Sequence, residues 1–504
     1  MSDPFYITTA ISYPNGPPHI GHAYEAIAAD VIARFQRARG RDVRFQTGTD
    51  EHGLKMAQAA RSEDLEPRTF ANRMSRLFQD MCDKLNISYD RFILTSQPDH
   101  YRASQAIWSA MEAKGDLYLG RYEGWYSVRD EAYYDEEELV AGEGAEKLSP
   151  QGTPVEWTVE ESWFFKLSAY QQKLLDHYAA NPGFIRPESR RNEVLRFVES
   201  GLSDLSISRT SFDWGVPVPG SPGHVMYVWL DALTNYLTGL GYPDETELWQ
   251  RYWPAEIHLI GKDVVRFHAI YWPAFLMSAG IALPKQVYGH GFLLSRGEKM
   301  SKSVGNVVDP MVLAERFGVD ALRYFLLREV PFGQDGSYSA EAIVARANAE
   351  LSNSFGNLAQ RTLSLIFKNL GGVLPAQGEA EDDAALLARV EQACGQLTDH
   401  FERLAFSVGL EEWMQAVFAC NAYIDSMAPW ALKKSDPQRM AAVLGTLVEA
   451  IRRLAVAVQP VIPASAERLL ALIESGEGGT PIAQPTPLFP KLELAGEEAQ
   501  EAAK

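Results

Sequence analysis

Two histidines close to the start of the chain have a spacing that could serve chemistry. His19 and His22 lie three residues apart around Gly21 and directly follow Pro17 and Pro18. They could be metal ligands, a helix cap or donors to a phosphate group. A metal site is disfavoured, because no third ligand stands nearby and the H-E-x-x-H pattern is absent. A helix N-terminus offers unpaired N–H groups and a positive dipole end, and imidazoles can donate to phosphate oxygens. These four residues alone leave the cap and the phosphate site open.

A basic loop far downstream is the second candidate. In the stretch RGEKMSKSVGN, residues 296–306, Lys299 and Lys302 flank Ser301 between two glycines. Two lysines in such a loop could close over a polyphosphate and stabilise the charge that develops in a transition state. An exposed Lys/Ser loop without a catalytic role is the alternative, and the pentapeptide taken alone favours that alternative.

The elements around the histidines predict an α/β fold. Residues 5–13 are β-branched and aromatic, as in a buried strand, and a breaker cluster follows them. Apolar residues then recur at intervals of four between residues 22 and 40, and a second strand ends at Asp50. This strand–helix–strand order predicts a right-handed crossover and a doubly wound parallel sheet. Neither G-x-G-x-x-G after the first strand nor G-x-x-x-x-G-K-[ST] anywhere is present, so the histidine pair stands where a glycine loop would be expected.

The texture of the chain changes three times after this start. Residues 117–222 are rich in Tyr, Trp, Glu and Gly with short strand-like pieces, which indicates an inserted domain. The α/β texture then resumes, and after Ala340 the pattern is almost wholly helical, which predicts a separate helical bundle. The stretch from Glu474 to the end is rich in Gly, Pro and Glu, and we expect it to pack loosely or fray.

Composition limits the classes of protein that fit. A chain of 504 residues needs several domains. Its net charge of −19 argues against broad nucleic-acid affinity, and the arginine-rich stretch at residues 186–196 is most simply a solvated helix face. The three cysteines, Cys82, Cys394 and Cys420, have no paired spacing, which argues against a disulfide framework. We expect no signal peptide and no membrane span, and a cytoplasmic location.

The two candidate sites together resemble a known family. The sequences HIGH at residues 19–22 and KMSKS at residues 299–303 are the paired signatures of class I aminoacyl-tRNA synthetases. Within that class the chain resembles the methionyl-tRNA synthetases. The resemblance covers nearly the whole chain and is carried by SYPNGPPHIGHAYEAIAADVIARFQR, TGTDEHG, YVWLDA, IGKDVVRFHAIYWPAFL, KMSKSVGN and, less specifically, NSFGNLAQR and APWALKK.

The resemblance implies activation of methionine with ATP and transfer of the methionyl group to the 3′-terminal ribose of initiator and elongator methionine tRNA. The chemistry needs positioning and charge neutralisation more than covalent help. His19, His22, Lys299 and Lys302, with Mg²⁺, would act on the phosphates, and Lys302 would have the largest effect on rate. Gly21 would let ATP approach, and Gly261 and Asp263 would meet the ribose.

The resemblance also implies a pocket for methionine and a site for the anticodon. A thioether offers no strong hydrogen bond, so the pocket must select it by shape and by sulfur–aromatic contact. Asp50 would hold the ammonium group of methionine. Without the resemblance, tryptophan and tyrosine residues at such spacings would more often be part of a hydrophobic core. The implied pocket residues are Ile11, Tyr13, Asp50, Trp229, Ala232, Tyr236, His268 and Trp272. The implied anticodon residues are Asn357, Arg361 and Trp430, of which Trp430 would offer a stacking platform.

This chain also departs from the family pattern. Many relatives carry zinc-binding cysteines in the inserted domain, whereas residues 118–166 contain no cysteine, so we predict no zinc. The residues after the bundle are too few for the C-terminal barrel that some relatives use to dimerise, so we expect a monomer.

The predicted fold is thus a Rossmann-like doubly wound parallel-sheet catalytic domain with an inserted α+β connective domain, followed by an all-α bundle. The predicted boundaries are 1–116 and 223–290 for the catalytic domain, 117–222 for the insert, 291–340 for the KMSKS loop and stem-contact region, 341–470 for the helical anticodon-binding domain and 471–504 for the tail. Three alternatives remain: a synthetase for another aliphatic amino acid, a HIGH-motif nucleotidyltransferase that does not act on tRNA, and a non-catalytic tRNA-binding paralogue.

Overall fold

The chain forms two compact units, Met1–His290 and Gly291–Lys504. The computed structural model describes residues 2–130, 132–142, 144, 146–295, 298–299 and 308–494. No helix in these described ranges is both long and apolar enough to cross a lipid bilayer.

The first unit alternates strands and helices. Its strands are β1 (Pro4–Thr9), β2 (Asp42–Thr49), β3 (Arg91–Leu94), β4 (Leu117–Ser127), β5 (Ala132–Tyr134), β6 (Val140–Ala141), β7 (Lys147–Leu148), β8 (Glu156–Phe165), β9 (Ile185–Arg186), β10 (Leu205–Ser206), β11 (Ser208–Arg209), β12 (Val225–Met226), β13 (Ile257–Gly261) and β14 (Val287–His290). Its α-helices are α1 (Ile20–Ala38), α2 (Leu54–Ser62), α3 (Pro67–Lys84), α4 (Pro98–Ala113), α5 (Gln171–Ala180), α6 (Glu188–Glu199), α7 (Val228–Thr238), α8 (Glu247–Tyr252) and α9 (Trp272–Ala279). A 3₁₀ turn, Lys262–Val264, follows β13, and a π-helix, Phe267–Tyr271, precedes α9.

The main sheet confirms the predicted doubly wound α/β architecture. Its strand order is β3-β2-β1-β13-β14-β9, and every pair is parallel. Helices cover both faces, so side chains on both sides of β1 and β13 are buried, as a parallel sheet requires. The chain turns from β1 toward β2 on one side, and β13 lies on the other. The carboxyl ends of β1 and β13 therefore flank the crevice where such sheets bind ligands.

The stretch predicted as an insert contains an antiparallel sheet and one strand of the main sheet. The antiparallel sheet has the order β10-β8-β4-β5, and its long β4–β8 pair runs from Leu117 opposite Phe165 to Tyr126 opposite Glu156. Strand β9 instead pairs with β14 and closes the edge of the parallel sheet. The chain therefore returns to the main sheet within the stretch whose composition predicted a separate domain.

The second unit is mainly helical, in agreement with the predicted bundle. Its strands are β15 (Leu293–Ser295), β16 (Glu298–Lys299) and β17 (Gly336–Tyr338). Its α-helices are α10 (Pro310–Phe317), α11 (Val319–Glu329), α12 (Ala340–Arg346), α13 (Asn357–Asn369), α14 (Glu381–Glu402), α15 (Phe406–Met427), α16 (Pro429–Ser435), α17 (Pro437–Val458) and α18 (Pro463–Glu474), with a π-helix at Ala347–Gly356. Trp413, on α15, is fully buried in its core and donates to the Leu454 carbonyl of α17 at 2.9 Å.

The expectation of a loose C-terminal tail is wrong for residues 482–492. Ile482, Leu488 and Phe489 are buried, and the Ile482 N–H donates to the Gly372 carbonyl at 2.9 Å. Asn348 exchanges hydrogen bonds of 2.8 and 2.9 Å with the backbone of Leu492. Residues 482–492 form no regular helix or strand, but three of the apolar residues among them are buried.

Candidate active site

The histidine pair closes the N-terminus of α1. His19 is the N-cap residue, and its Nδ1 accepts a hydrogen bond of 3.0 Å from the Gly21 N–H. His22 reaches back, and its Nδ1 accepts from the His19 N–H at 3.1 Å. The two rings lie 3.9 Å apart between centroids, and the Phe78 ring makes a T-shaped contact with His22 at 5.0 Å. This is the reciprocal arrangement of a capping box, built from imidazoles in place of Ser and Glu.

The cap also fixes the tautomer of both rings. An Nδ1 that accepts a hydrogen bond carries no proton, so the proton of each neutral ring is on Nε2. Each ring is therefore a hydrogen-bond donor at Nε2 and sits at the positive end of the α1 dipole. The cap and the phosphate site, which the sequence left as alternatives, are compatible in the same two residues.

The structure explains why position 21 is a glycine, which the sequence alone did not show. A Cβ at this position would lie 2.8 Å from His19 Cε1 and 2.9 Å from its Nδ1. The glycine therefore makes room for the folded-back His19 ring, and any room that it gives to a ligand is a second use of the same gap.

Gly261 ends β13, the strand that pairs with β1, and Asp263 lies in the turn that follows it. A Cβ on Gly261 would come within 2.7 Å of Asp263 Oδ1, so the glycine lets this carboxylate fold back over the strand end. Glu25, on α1 one turn after His22, bonds His290 Nε2 of β14 at 2.8 Å and accepts from the Gly261 backbone. Burial raises the pKa of Glu25, although His290 opposes that rise.

The basic loop falls almost entirely outside the described residues. Residues 296, 297 and 300–307 are not described, so the prediction for Lys302 lies outside them. The backbone of Lys299 lies in β16, which pairs with β15, but its side chain is not described.

Four of the predicted methionine residues form one aromatic cluster. Trp229 and Tyr236, on α7, meet His268 of the π-helix and Trp272 of α9. Tyr236 OH lies 2.6 Å from His268 Nε2, and Trp229 stacks on Phe267 with 3.7 Å between ring centroids. Ala232 lies on α7 between the two aromatic residues, three after Trp229 and four before Tyr236, which places all three on one helix face.

The polar side-chain atoms of Tyr236, His268 and Trp272 all have hydrogen-bond partners in the protein. His268 Nδ1 lies 2.9 Å from the Val264 carbonyl and so donates to it, which leaves Nε2 to accept from Tyr236. Burial lowers the pKa of His268 to about 4 and that of His258 well below its ordinary value. Trp272 is fully buried and donates to His258 Nε2 at 3.3 Å. The wall is thus neutral near pH 7, which suits a thioether.

The other three predicted residues lie at the ends of β1 and β2. The Asp50 N–H donates to the Ser12 carbonyl at 2.8 Å, which ties the segment containing Ile11 and Tyr13 to the end of β2. Tyr13 OH accepts from the Met56 N–H at 2.9 Å. The Asp50 carboxylate is buried and 3.5 Å from Thr95 Oγ1. Ile11, Tyr13 and Trp229 are partly exposed, whereas the other five predicted residues are buried.

The second unit brings two of its three predicted residues together. The Arg361 guanidinium lies 5.5 Å from the centroid of the Trp430 ring, and its Nη2 pairs with Asp425 at 2.7 Å. Trp430 is 47% exposed, which is unusual for a tryptophan and leaves its ring available for stacking. Asn357, exposed at the start of α13, lies one turn before Arg361.

The stretch predicted as an insert holds a polar cluster around Asp130. Asp130 Oδ2 accepts from Ser149 and Thr153 at 2.6 Å each and from Tyr134 at 3.0 Å. Ser127 joins Thr153 at 2.6 Å. Zinc prefers thiolate and imidazole ligands, and three hydroxyls around one carboxylate that they already satisfy do not fit it.

Several residues of the site were not predicted. Phe267 stacks on Trp229, the Glu25 carboxylate accepts from the Gly261 backbone, and the His52 N–H lies 3.5 Å from Asp50 Oδ1. His290 bonds Glu25, and Asp231 bonds His52. Phe267 stands next to His268, and Glu25 lies one turn after His22. Periodicity places such neighbours on an element but does not show which of them reaches the ligand crevice.

Comparison with known proteins gives one consistent result. The family model "tRNA synthetases class I (M)" matches residues 5–363, and the model "Anticodon binding domain of methionyl tRNA ligase" matches residues 374–489. A methionine–tRNA ligase of Brucella suis is 57% identical over 98% of this chain and 99% of its own. A methionine–tRNA ligase of Mesorhizobium japonicum is 59% identical over 93% of this chain and 91% of its own. The Mycobacterium tuberculosis methionyl-tRNA synthetase in complex with methionyl-adenylate superposes with a TM-score of 0.93 at 55% identity, covering 97% of this chain and all of that one.

The switch-point crevice, the capping histidines and the helical unit define a class I aminoacyl-tRNA synthetase. The matches span the full chain and single out one branch of that class. The chain belongs to the methionyl-tRNA synthetase family.

Proposed function

We propose that this protein is a methionine–tRNA ligase that forms methionyl-adenylate from methionine and ATP and then transfers the methionyl group to tRNA, for use in translation initiation and elongation. The observation that carries the proposal is the pair of Nε2 donors at the N-terminus of α1, beside the switch point of the sheet. Membership of the family and the neutral aromatic cluster support it.

In the first step, a methionine carboxylate oxygen attacks the α-phosphorus of ATP, the bond from that phosphorus to the bridging oxygen breaks, and pyrophosphate leaves. His19 and His22 donate to the phosphates through Nε2, and Lys299 and Lys302 neutralise the leaving pyrophosphate. Mg²⁺ enters with ATP, since this ion is usually held by substrate phosphates and water. Gly261 and Asp263 hold the ribose, and Lys302 has the largest effect on rate.

Methionine is held at its two ends. The Asp50 carboxylate takes the ammonium group, while Trp229, Ala232, Tyr236, His268 and Trp272, with Ile11 and Tyr13, enclose the thioether. The hydroxyl of Tyr236 and the imidazole of His268 bond each other, so the wall accepts an apolar chain without leaving those two groups unpaired.

In the second step, a hydroxyl of the terminal tRNA ribose attacks the activated carbonyl, and AMP leaves. Asn357, Arg361 and Trp430 read the CAU anticodon of both methionine tRNAs: the tryptophan stacks on a base and the guanidinium donates to a base edge. The division into catalytic, connective, stem-contact and anticodon-binding domains belongs to the same proposal.

The enzyme works as a cytoplasmic monomer without zinc. The Asp130 cluster supports the absence of zinc, because its hydroxyls occupy the carboxylate. Metal analysis of tag-free protein should find less than about 0.1 zinc per chain, and stoichiometric zinc would refute this part of the proposal. Light scattering should give the mass of one chain.

The function is tested by ATP–pyrophosphate exchange with each of the twenty amino acids, followed by charging of total tRNA. Methionine alone should support both reactions. Exchange with leucine, isoleucine or valine instead would identify another aliphatic synthetase. Exchange that persists without any charging of tRNA would favour the nucleotidyltransferase, and no exchange at all would favour the non-catalytic paralogue.

A further inference from the structure

A buried carboxylate in the first unit takes part in none of the steps above. Asp231, on α7, is completely shielded from solvent, and so are the two imidazoles that bind it, apart from 1% of His52. Its Oδ2 lies 2.7 Å from His52 Nδ1, and its Oδ1 lies 2.7 Å from His100 Nε2. Each carboxylate oxygen is therefore held by a nitrogen from a different part of the chain.

The two imidazoles connect three elements. His52 belongs to the turn after β2, and its Nε2 lies 3.0 Å from Tyr101 OH. His100 belongs to α4, and its Nδ1 lies 2.9 Å from Thr238 Oγ1 at the far end of α7. His100 of α4 thus bonds both the first turn of α7, at Asp231, and its end, at Thr238. His52 links the first turn of α7 to the end of β2.

The position of the network in the sequence relates it to methionine. Asp231 stands between Trp229 and Ala232 on the helix that carries the aromatic wall, whereas His52 stands two residues after Asp50. A shift of the Asp231–His52 bond would therefore change the distance between the ammonium anchor and the wall. Burial opposes the charge on Asp231, but the two imidazoles outweigh it and lower the pKa of Asp231.

We propose that Asp231 is a positioning residue for methionine: through His52 and His100 it holds the Asp50 turn and α7 at the separation that the amino acid spans. The proposal rests on the proposed function. It assigns to Asp231 no contact with methionine or ATP. Its loss should therefore weaken methionine binding while leaving the phosphate site, on α1 and after β13, unaffected.

The test is the substitution Asp231→Asn, measured by ATP–pyrophosphate exchange. Hydrogen bonds to a charged group contribute enough that we expect the KM for methionine to rise about 10- to 100-fold, with the KM for ATP within about twofold of wild type. Calorimetric titration of methionine alone should weaken by the same factor. His52→Asn keeps the Asp231 carboxylate and breaks its link to the Asp50 turn. It should likewise raise the KM for methionine without changing the KM for ATP, and it replaces Asp231→Asn as the test if that variant does not fold.

Asp30→Asn is the matched control. Asp30 is also a fully buried carboxylate of this unit, paired with Arg34 at 2.8 Å and bonded to Ser88. Its loss should lower the melting temperature comparably and leave the KM for methionine unchanged. The proposal is overturned if Asp231→Asn raises both KM values in parallel, or leaves that for methionine within about twofold. If the wild type shows no methionine-dependent exchange, it is the proposed function that fails, before any variant is measured.

Discussion

The Nδ1 atoms of His19 and His22 explain how a helix cap and a phosphate site can share two residues. Each Nδ1 accepts a backbone N–H, and this leaves Nε2 as the protonated nitrogen. The sequence shows the residue types and their spacing, but both interpretations need the same types. Only the direction of two hydrogen bonds shows that one arrangement serves both.

His268 gives a prediction about pH. Its folded-state pKa of about 4 lies below the ordinary 6.5, so the unfolded chain takes up this proton first as the pH falls. The stability that its neutral form contributes is complete above pH 6.5 and is lost between pH 6.5 and 4. The free energy of unfolding should fall by about 3 kcal/mol over that range from this group alone.

Urea unfolding of the first unit, followed by tryptophan fluorescence at several pH values, measures this loss. His268→Gln removes the titrating group and should unfold with a visibly shallower dependence on pH. Identical pH dependence in the two proteins would show that His268 is not the group responsible.

The observed bounds of the elements near the active site agree closely with those predicted from the sequence, and the differences have local causes. The predicted strand at residues 5–13 ends earlier, at Thr9, because the chain leaves β13 and crosses to β2 through Ser12. The predicted helix at 22–40 and strand at 42–50 agree with α1 and β2 to within two residues. Strand β9 was not predicted, since two residues are too few for a periodic signal.

The C-terminal segment shows where composition misleads. Its Gly, Pro and Glu content is typical of a loose tail, yet Ile482, Leu488 and Phe489 are buried. Composition counts residue types, whereas burial depends on where a few apolar side chains meet a groove. The predicted loose packing was therefore wrong for the part of this stretch that contains these three residues.

Truncation after Gly479 tests this packing. Each well-buried apolar side chain contributes about 1.5–3 kcal/mol, so the loss of three should lower the free energy of unfolding of the helical unit by several kcal/mol. Truncation after Leu494 removes only residues 495–504 and is the control, with no expected change. Equal melting temperatures for the two truncated proteins would mean that the segment does not stabilise the unit.

The two units carry different parts of the proposed function. The capping histidines, Asp263 and the methionine pocket belong to the first unit, whereas the second unit contains the basic loop and the residues proposed to read the anticodon, among them Arg361 and Trp430. The sequence alone would assign Trp430 to packing. Its exposed ring beside a guanidinium is the structural reason to assign it to tRNA.

Trp430→Ala should therefore affect charging alone. Loss of one stacked base is equivalent to about 1–3 kcal/mol, so kcat/KM for tRNA should fall about 10- to 100-fold, with pyrophosphate exchange unchanged. Phe418→Ala, which removes an equally exposed ring from α15, is the control. A similar decline in charging for both variants would indicate a general loss of the helical surface.

The most direct test of the active site uses variants that keep the cap and remove the imidazoles. Asn is a preferred N-cap residue and Gln a preferred partner three residues later, so His19→Asn and His22→Gln should preserve α1. Methionine-dependent ATP–pyrophosphate exchange should fall about 100-fold or more in each variant, because a donor to the developing charge is lost, while the melting temperature stays within a few degrees of wild type. Near-normal exchange in both variants would contradict the assignment and leave the histidines as a helix cap alone.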